Sequence, residues 1–303
     1  MNEFSNKKIP VCNSVSELNE FLSKYSNSFF CLYLAYKDDD AWNKSTSRLY
    51  MNQVSDKLIY LPVNIQKNDY ESLKKIYSIS ESNKQIIAIN QTQPHKSNPI
   101  LKEWLKDKSI INVDTLIKNE NGKLIPYDLN GPSFVGWFID EVSKFKNKLV
   151  ILLGVGGVGE PIARKIICEE PKQLLLIDKV DKTDLVNELS QFGNVNYNSD
   201  LMIYEMKNNE IIFINCAGKE GTDDSVVLDL LKKYQNKNEI FVDLRPHLKI
   251  DVVEKAQDLG WNSFTGHGMN ARNDYSLYEK ICILINEKPI SFEKFKVLVA
   301  DAS

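Results

Sequence analysis

Apolar residues in this chain gather in short, β-branched runs, separated by stretches whose apolar positions fall three and four apart. The runs FFCLYLAY (29–36), LIYLPVNI (58–65) and QIIAIN (85–90) predict strands. Helical patterns lie between and after them, near 70–77 and 99–105, and Asn121-Gly122 marks the turn of a strand pair. A helical pattern over 132–146 leads into a second series, LVILLG (149–154), QLLLID (173–178), IIFINCA (211–217) and EIFVDL (239–244). Helices starting at 161, 225 and 252 alternate with these strands, and 274–286 again reads as a helix. Ahead of both series, 14–25 predicts a helix with Ser14 and Glu17 in capping-box spacing, read as an extension packed on the body. Strand and helix in alternation mean α/β sheets, and two successive series mean two domains.

Composition narrows the class. At 303 residues, two domains can each bury a core. With 43% hydrophobic and 26% charged residues the balance is that of a soluble globular protein. No apolar run approaches the ~20 residues of a membrane span. The N-terminus, MNEFSNKKIPVCNS, has no apolar stretch followed by a cleavage site, so a cytoplasmic location is expected. Net charge is −3 and no basic stripe is interleaved with aromatics, which points to a small-molecule partner rather than nucleic acid or membrane. A homodimer is allowed but not specified. The five cysteines are scattered and never in CxxC spacing, and the three histidines are not paired at ligand spacing. Reduced thiols and no metal are therefore expected.

The most informative motif is LVILLGVGGVGEPIARKI, in which Gly154, Gly156 and Gly159 form G-x-G-x-x-G directly after a strand and before a helix. Gly154 would permit the tight turn, Gly156 the approach of a pyrophosphate, and Gly159 close helix packing. Gly157 and Val158 complete the phosphate-facing loop at a helix N-terminus. Asp178 ends the next strand, where a carboxylate can hold ribose hydroxyls and repel a 2′-phosphate. NAD is thus favoured, while Lys179 beside it leaves NADP open. The same turn could serve packing alone. ATP-dependent adenylating enzymes of the ubiquitin-activating type also share this local signature. Their arginine and glutamine pattern is absent from KTDLVNELSQF, and they leave the first half of the chain unexplained.

Residues 90–96, N-Q-T-Q-P-H-K, resemble the N-V-T-x-P-x-K motif of shikimate dehydrogenases, with Gln91 substituted. INVDTLIKNENGKLIPYDLNGPSF resembles the family's A-V-N-T segment, D-G turn and N-T-D-G-x-G-F segment, and KSTSRLYMN resembles its H-S-x-S-P-x-x-H-N. Downstream, LLGVGGVGEPIARKI, IIFINCAG, EIFVDL and TGHGMNARND resemble the family's nucleotide turn, N-A-T loop, V-x-D strand and D-G-x-x-M-L-V-x-Q segment. The likeness is ordered over residues 29–285.

The resemblance implies an N-terminal α/β substrate domain (1–131, completed by 266–303), a Rossmann-like NAD(P)-binding domain (132–265) and a cleft between them. It implies a dehydrogenase or reductase in which Ser45 and Ser47 hold the substrate carboxylate, Thr92 and Lys96 reach its hydroxyls, and Lys96 is catalytic. Cys216, Ala217, Gly268 and Met269 would border the nicotinamide. Departures accompany it. The family's catalytic aspartate aligns with Asn130 and its A-V-N-T asparagine with Asp114, so the two residue types have traded places. Its glutamine aligns with Asn273. The tyrosine after its V-x-D strand is absent, with Arg245 nearby, and its proline after S-x-S is Arg48; the two arginines could favour an additional substrate carboxylate, although an arginine at such a position is more often a surface residue. These changes imply an NAD(P)-dependent oxidoreductase acting on a small carboxylated alcohol, ketone or imine other than shikimate. A non-catalytic dinucleotide-binding relative is the remaining alternative.

Overall fold

The computed structural model describes residues 10–36, 52, 54–92, 94–105, 113–199, 210–218, 223–233, 239–245 and 251–302. The chain divides into two compact units, Met1–Leu129 with Asp274–Ser303, and Asn130–Asn273.

The first unit opens with α1 (Val15–Lys24), whose N-cap Ser14 accepts the Glu17 N–H. The reciprocal bond of the capping box is displaced by one residue, because Glu17 Oε2 accepts from Asn13 N at 2.8 Å. This helix is more than an extension: Leu18 and Leu22 are buried in the unit's main core. Five strands follow, β1 (Phe29–Ala35), β2 (Leu58–Asn64), β3 (Ile86–Gln91), β4 (Thr115–Lys118) and β5 (Leu124–Tyr127), in sheet order β2-β1-β3-β4-β5. The first three are parallel, and the last two run antiparallel around the Asn121-Gly122 turn. Helices α2 (Tyr70–Ser82) and α3 (Pro99–Leu105) connect them.

Alternation along β1 splits its side chains between two cores, Phe30, Leu32 and Leu34 on one face and Cys31, Tyr33 and Ala35 on the other. In β3 the alternation breaks, with Ile86 and Ile89 on the first face and both Ile87 and Ala88 on the second. A register shift opposite Phe30 and Cys31 accounts for it, since one extra residue in a strand flips the side chains that follow. The outer edge of β2 is covered rather than bare. Cys12 exchanges backbone bonds with Pro62 and Asn64, and Pro62 sits where no N–H is needed. Asn52, 1% exposed, continues the cover with its side chain: Oδ1 accepts from Tyr60 N at 2.7 Å and Nδ2 donates to Tyr60 O at 3.3 Å.

The second unit begins with α4 (Asn130–Glu141). Six parallel strands follow: β6 (Leu149–Leu153), β7 (Gln173–Ile177), β8 (Val195–Asn198), β9 (Ile211–Asn215), β10 (Ile240–Asp243) and β11 (Asn262–Thr265). Their order, β11-β10-β9-β6-β7-β8, is that of a doubly wound sheet whose direction of winding reverses beside β6. Helices α5 (Gly159–Ile166) and α6 (Thr183–Leu189), with α4, cover one face; α7 (Asp224–Lys233) and α8 (Asp251–Asp258) cover the other. Covering both faces explains why the central strands read as unbroken apolar runs.

Helix α9 (His267–Leu284) begins seven residues before the predicted 274, and α10 (Phe292–Ala302) closes the chain. The early start of α9 was hidden because its first turns bury the polar Asn273 and include a glycine. The hydrophobic pattern also missed β8, β11, α6 and α10. The two strands are four-residue sheet edges with polar, partly exposed positions, and α6 buries only Leu185 and Leu189.

Replacing Asn52 by alanine strips the only side chain bonded to both backbone groups of Tyr60 among the described residues. A loss of about 1–3 kcal/mol is expected from the unsatisfied buried groups, measured by urea unfolding.

Candidate functional site

In the first unit the predicted residues gather at the carboxyl end of β3. Thr92 follows the strand directly, and its carbonyl accepts from His95 N at 2.8 Å and Lys96 N at 3.3 Å. The chain thereby turns into a 3-10 helix, His95–Ser97, with Pro94 before it. Lys96 is half-buried, and its carbonyl accepts from Val113 N at 2.9 Å, so Asp114 stands on the neighbouring segment. The Asp114 carboxylate is 3% exposed and receives the Leu129 N–H on both oxygens at 3.3 Å. Thr92, Lys96 and Asp114 thus share one end of one sheet. Ser45, Ser47 and Arg48 lie outside the described residues.

A buried polar framework fixes this end. Asn90 accepts from the Tyr60 hydroxyl at 2.9 Å and donates to Asp114 O at 3.1 Å. Gln91, the substituted position of the N-V-T-like motif, accepts from the Tyr77 hydroxyl at 3.0 Å and donates to Val113 O at 2.8 Å. Asn98 donates to the same tyrosine and accepts from Leu101 N. Tyr77 is pushed up to about 12, first by burial, so it remains a donor across the ordinary pH range. His95, 1% exposed, places Nε2 3.2 Å from Ile65 O. These supports escaped the sequence reading; the one signal was a run of amides, Asn90, Gln91 and Asn98, around an otherwise apolar strand end.

In the second unit the glycine turn lies between β6 and α5. Gly154 has φ +85°, and a Cβ there would lie 2.5 Å from Ala217 N. At Gly159 a Cβ would lie 2.0 Å from the Gly154 carbonyl. Gly156 differs, because a Cβ there would meet nothing within 4 Å. Gly154 N donates to Ile177 O and Glu160 N to Gly156 O. No hydrogen-bond partner among the described residues meets the N–H groups of Gly156, Gly157, Val158 and Gly159. Asp178 is half-buried and accepts from Val155 N at 2.6 Å and Val180 N at 2.8 Å. Two of its four lone-pair positions remain open. Lys179 is exposed beside it.

Cys216 and Ala217 follow β9 and lie against the turn, with Cys216 N bonded to Leu153 O at 2.7 Å. Burial, then the charge of Asp243, pushes the Cys216 thiol up, so it stays protonated. Asn130 and Asn273 are brought together, Asn273 Nδ2 donating to Asn130 Oδ1 at 3.4 Å. Gly268 and Met269 are placed by packing. A Cβ on Gly268 would lie 1.9 Å from Trp137 Nε1, and Met269, 4% exposed, belongs to the core beneath α4. Arg245 corrects its expectation. Its guanidinium is committed to Asp243 and Asp224 rather than open to a substrate carboxylate. Among the described residues no three His, Cys, Asp or Glu side chains gather as metal ligands.

The site and topology define the class: an α/β protein of two units, the second a Rossmann-type unit with its glycine turn at the point where the sheet reverses. No family model matches the chain. In sequence it is similar to the shikimate dehydrogenase (NADP(+)) of Alkaliphilus oremlandii (strain OhILAs), 23% identical over 152 residues, 49% of this chain and 52% of that protein. The chain spans about half the length of the curated relatives it matches. In fold it is similar to a shikimate dehydrogenase in complex with NADP+, at TM-score 0.68 and 17% identity over 91% of this chain and 96% of that one. A second similar structure is the quinate dehydrogenase from Corynebacterium glutamicum in complex with NAD, at TM-score 0.66 and 13% identity over 90% and 99%. The chain is similar in sequence to shikimate dehydrogenases over part of its length and has their fold.

One pH effect follows from His95, which burial holds below its ordinary 6.5 against the opposing pull of the Ile65 and Ala35 carbonyls. The unfolded chain then takes up this proton at higher pH than the folded one. Stability is complete above the ordinary value and falls as pH drops through it, by at most about 1.4 kcal/mol per pH unit. Urea midpoints between about pH 7 and 5 should show this slope, and His95→Gln should remove that part of it.

Proposed function

We propose that the chain is an NAD(P)-dependent oxidoreductase that moves hydride between nicotinamide and a small carboxylated alcohol, ketone or imine other than shikimate, with NAD preferred. The glycine turn carries this reading: open space at Gly156 and four unengaged N–H groups lie close to a carboxylate that still has acceptor positions. Those N–H groups, at the start of α5, suit a pyrophosphate. The open lone pairs of Asp178 suit ribose hydroxyls, and its charge disfavours a 2′-phosphate; Lys179 is the feature that would admit NADP. The similar structures carry NADP+ or NAD, which supports the same cofactor type here. Neighbours in sequence and fold lend no support to an adenylating enzyme.

Bound nicotinamide would supply the carbon that gives or takes hydride. The chain's part is to hold the substrate and manage the hydroxyl proton. Lys96 Nζ would donate its proton to the oxygen of a carbonyl being reduced, or receive it in the reverse direction. Thr92 would hold a neighbouring hydroxyl, Ser45 and Ser47 the carboxylate, and Asn130 and Asn273 would offer neutral amides. Asp114 would keep Lys96 charged, a task that falls to Asn130's position in the family. In this reading the protein works in the cytoplasm on a small molecule, without membrane or nucleic-acid partner, and a homodimer is compatible with it. Among the described residues no helix is long and apolar enough to cross a membrane.

Incubation with NADH and a panel of small carboxylated ketones, followed by nicotinamide absorbance, should give turnover with at least one member. Asp114→Asn should then lose about 100-fold in turnover; an unchanged rate and pH profile would remove Asp114 from the chemistry. Gly156→Ala should lower turnover sharply while leaving unfolding within about 0.5 kcal/mol of the parent, because the added Cβ enters ligand space and meets no protein atom within 4 Å.

A further inference from the structure

Resting on the dinucleotide reading, we propose that Arg245 is a positioning residue for the nicotinamide half of the cofactor, acting through Asp243 and Asn215 on the loop 216–218. The three strand ends involved stand side by side, with Leu153 paired to Asn215 and Asn215 to Asp243. Asn215 is fully buried and its amide is used at both ends. Oδ1 accepts from Ala217 N at 3.2 Å, folding the chain sharply after β9, and Nδ2 donates to Asp243 Oδ2 at 3.4 Å. The amide keeps this orientation only while Asp243 remains an acceptor facing it.

Arg245 holds Asp243 in that state. Nε reaches Oδ1 at 2.9 Å and Nη2 reaches Oδ2 at 2.5 Å, a two-pronged grip on both carboxylate oxygens, and the Arg245 backbone N–H adds a third bond at 2.9 Å. Nη1 is tied at 2.7 Å to Asp224 in the first turn of α7. The arginine and Asp243 side chains are 5% and 8% exposed. A pair so buried contributes little net stability once desolvation is counted, but its forked geometry fixes orientation closely. The orientation reaches the turn because Ala217 N, Cα and Cβ lie 2.5–2.9 Å from where a Gly154 Cβ would stand.

Topology says which half of a dinucleotide would feel this. Asp178 follows β7, on one side of β6, and the loop 216–218 follows β9 on the other. With the adenosine ribose at Asp178, the far half lies over β9 and β10.

The test compares the full-length parent with Arg245→Met and Arg245→Lys, titrated with NADH and, separately, with AMP as an adenosine-side probe. Arg245→Met should bind NADH about ten-fold more weakly, about 1.4 kcal/mol, with AMP affinity unchanged. Arg245→Lys, which restores the charge without the fork, should fall between the two. If Arg245→Met does not fold, the lysine variant alone decides, since it too must weaken NADH and spare AMP. Parent-like NADH affinity in the variants overturns the proposal, as does parallel loss of NADH and AMP, the mark of a merely structural role. A parent that binds neither probe overturns the dinucleotide reading itself.

Discussion

At Gly154 the backbone turns through φ +85° with Ala217 N and the start of α5 pressed against it, so that no side chain fits at either Gly154 or Gly159. Most of the second unit's polar architecture follows from that crowding. β6 can stop where it does because Gly154 N finds Ile177 O, and β9 can turn away because Cys216 N finds Leu153 O. Three strands therefore end at one level. Asp178 closes the turn from the β7 side by holding Val155 N, and Asn215 shapes it from the β9 side. What this packing leaves open, the space at Gly156 and the N–H groups following it, is what a phosphate requires.

The first unit reaches a similar end by other means. The carboxyl end of β3 is held by buried amides, hydroxyls and the His95 imidazole. Each bond in the set from Tyr60 through Asn90, and from Tyr77 through Gln91 and Asn98, adds little on its own, but leaving any one unmade costs more than it contributes. The network fixes the path of the loop on which Lys96 sits and the segment that carries Asp114. It also accounts for Gln91 as the amide bridging Tyr77 to Val113, where the resembled family motif has valine.

Much of the fold was legible because buried parallel strands leave an apolar signature that survives divergence, and because LVILLGVGGVGEPIARKI sets strand, turn and helix in sequence. Legibility failed where burial is partial. VNYN and NSFT are short sheet edges, and the first turns of α9 pack polar side chains. The candidate site divides the same way. Glycines and strand-ending acids announce themselves, whereas the grip of Arg245 on Asp243 and the pairing of Asn130 with Asn273 join residues that only the fold brings together. Arg245 looked like a free cation in sequence because nothing along the chain shows that two carboxylates claim it.

Asp114 stands where the resembled motif has asparagine, and Asn130 where it has aspartate. A carboxylate is retained beside the lysine-bearing loop, but on the strand-end segment rather than at the start of α4, where a neutral amide pair now stands. Calorimetric titration of the full chain with NADH, NADPH and ATP tests directly whether the glycine turn is a dinucleotide site. Saturable binding of NADH, tighter than NADPH and far tighter than ATP, is the predicted result; binding of ATP with no heat from either nicotinamide cofactor would contradict it.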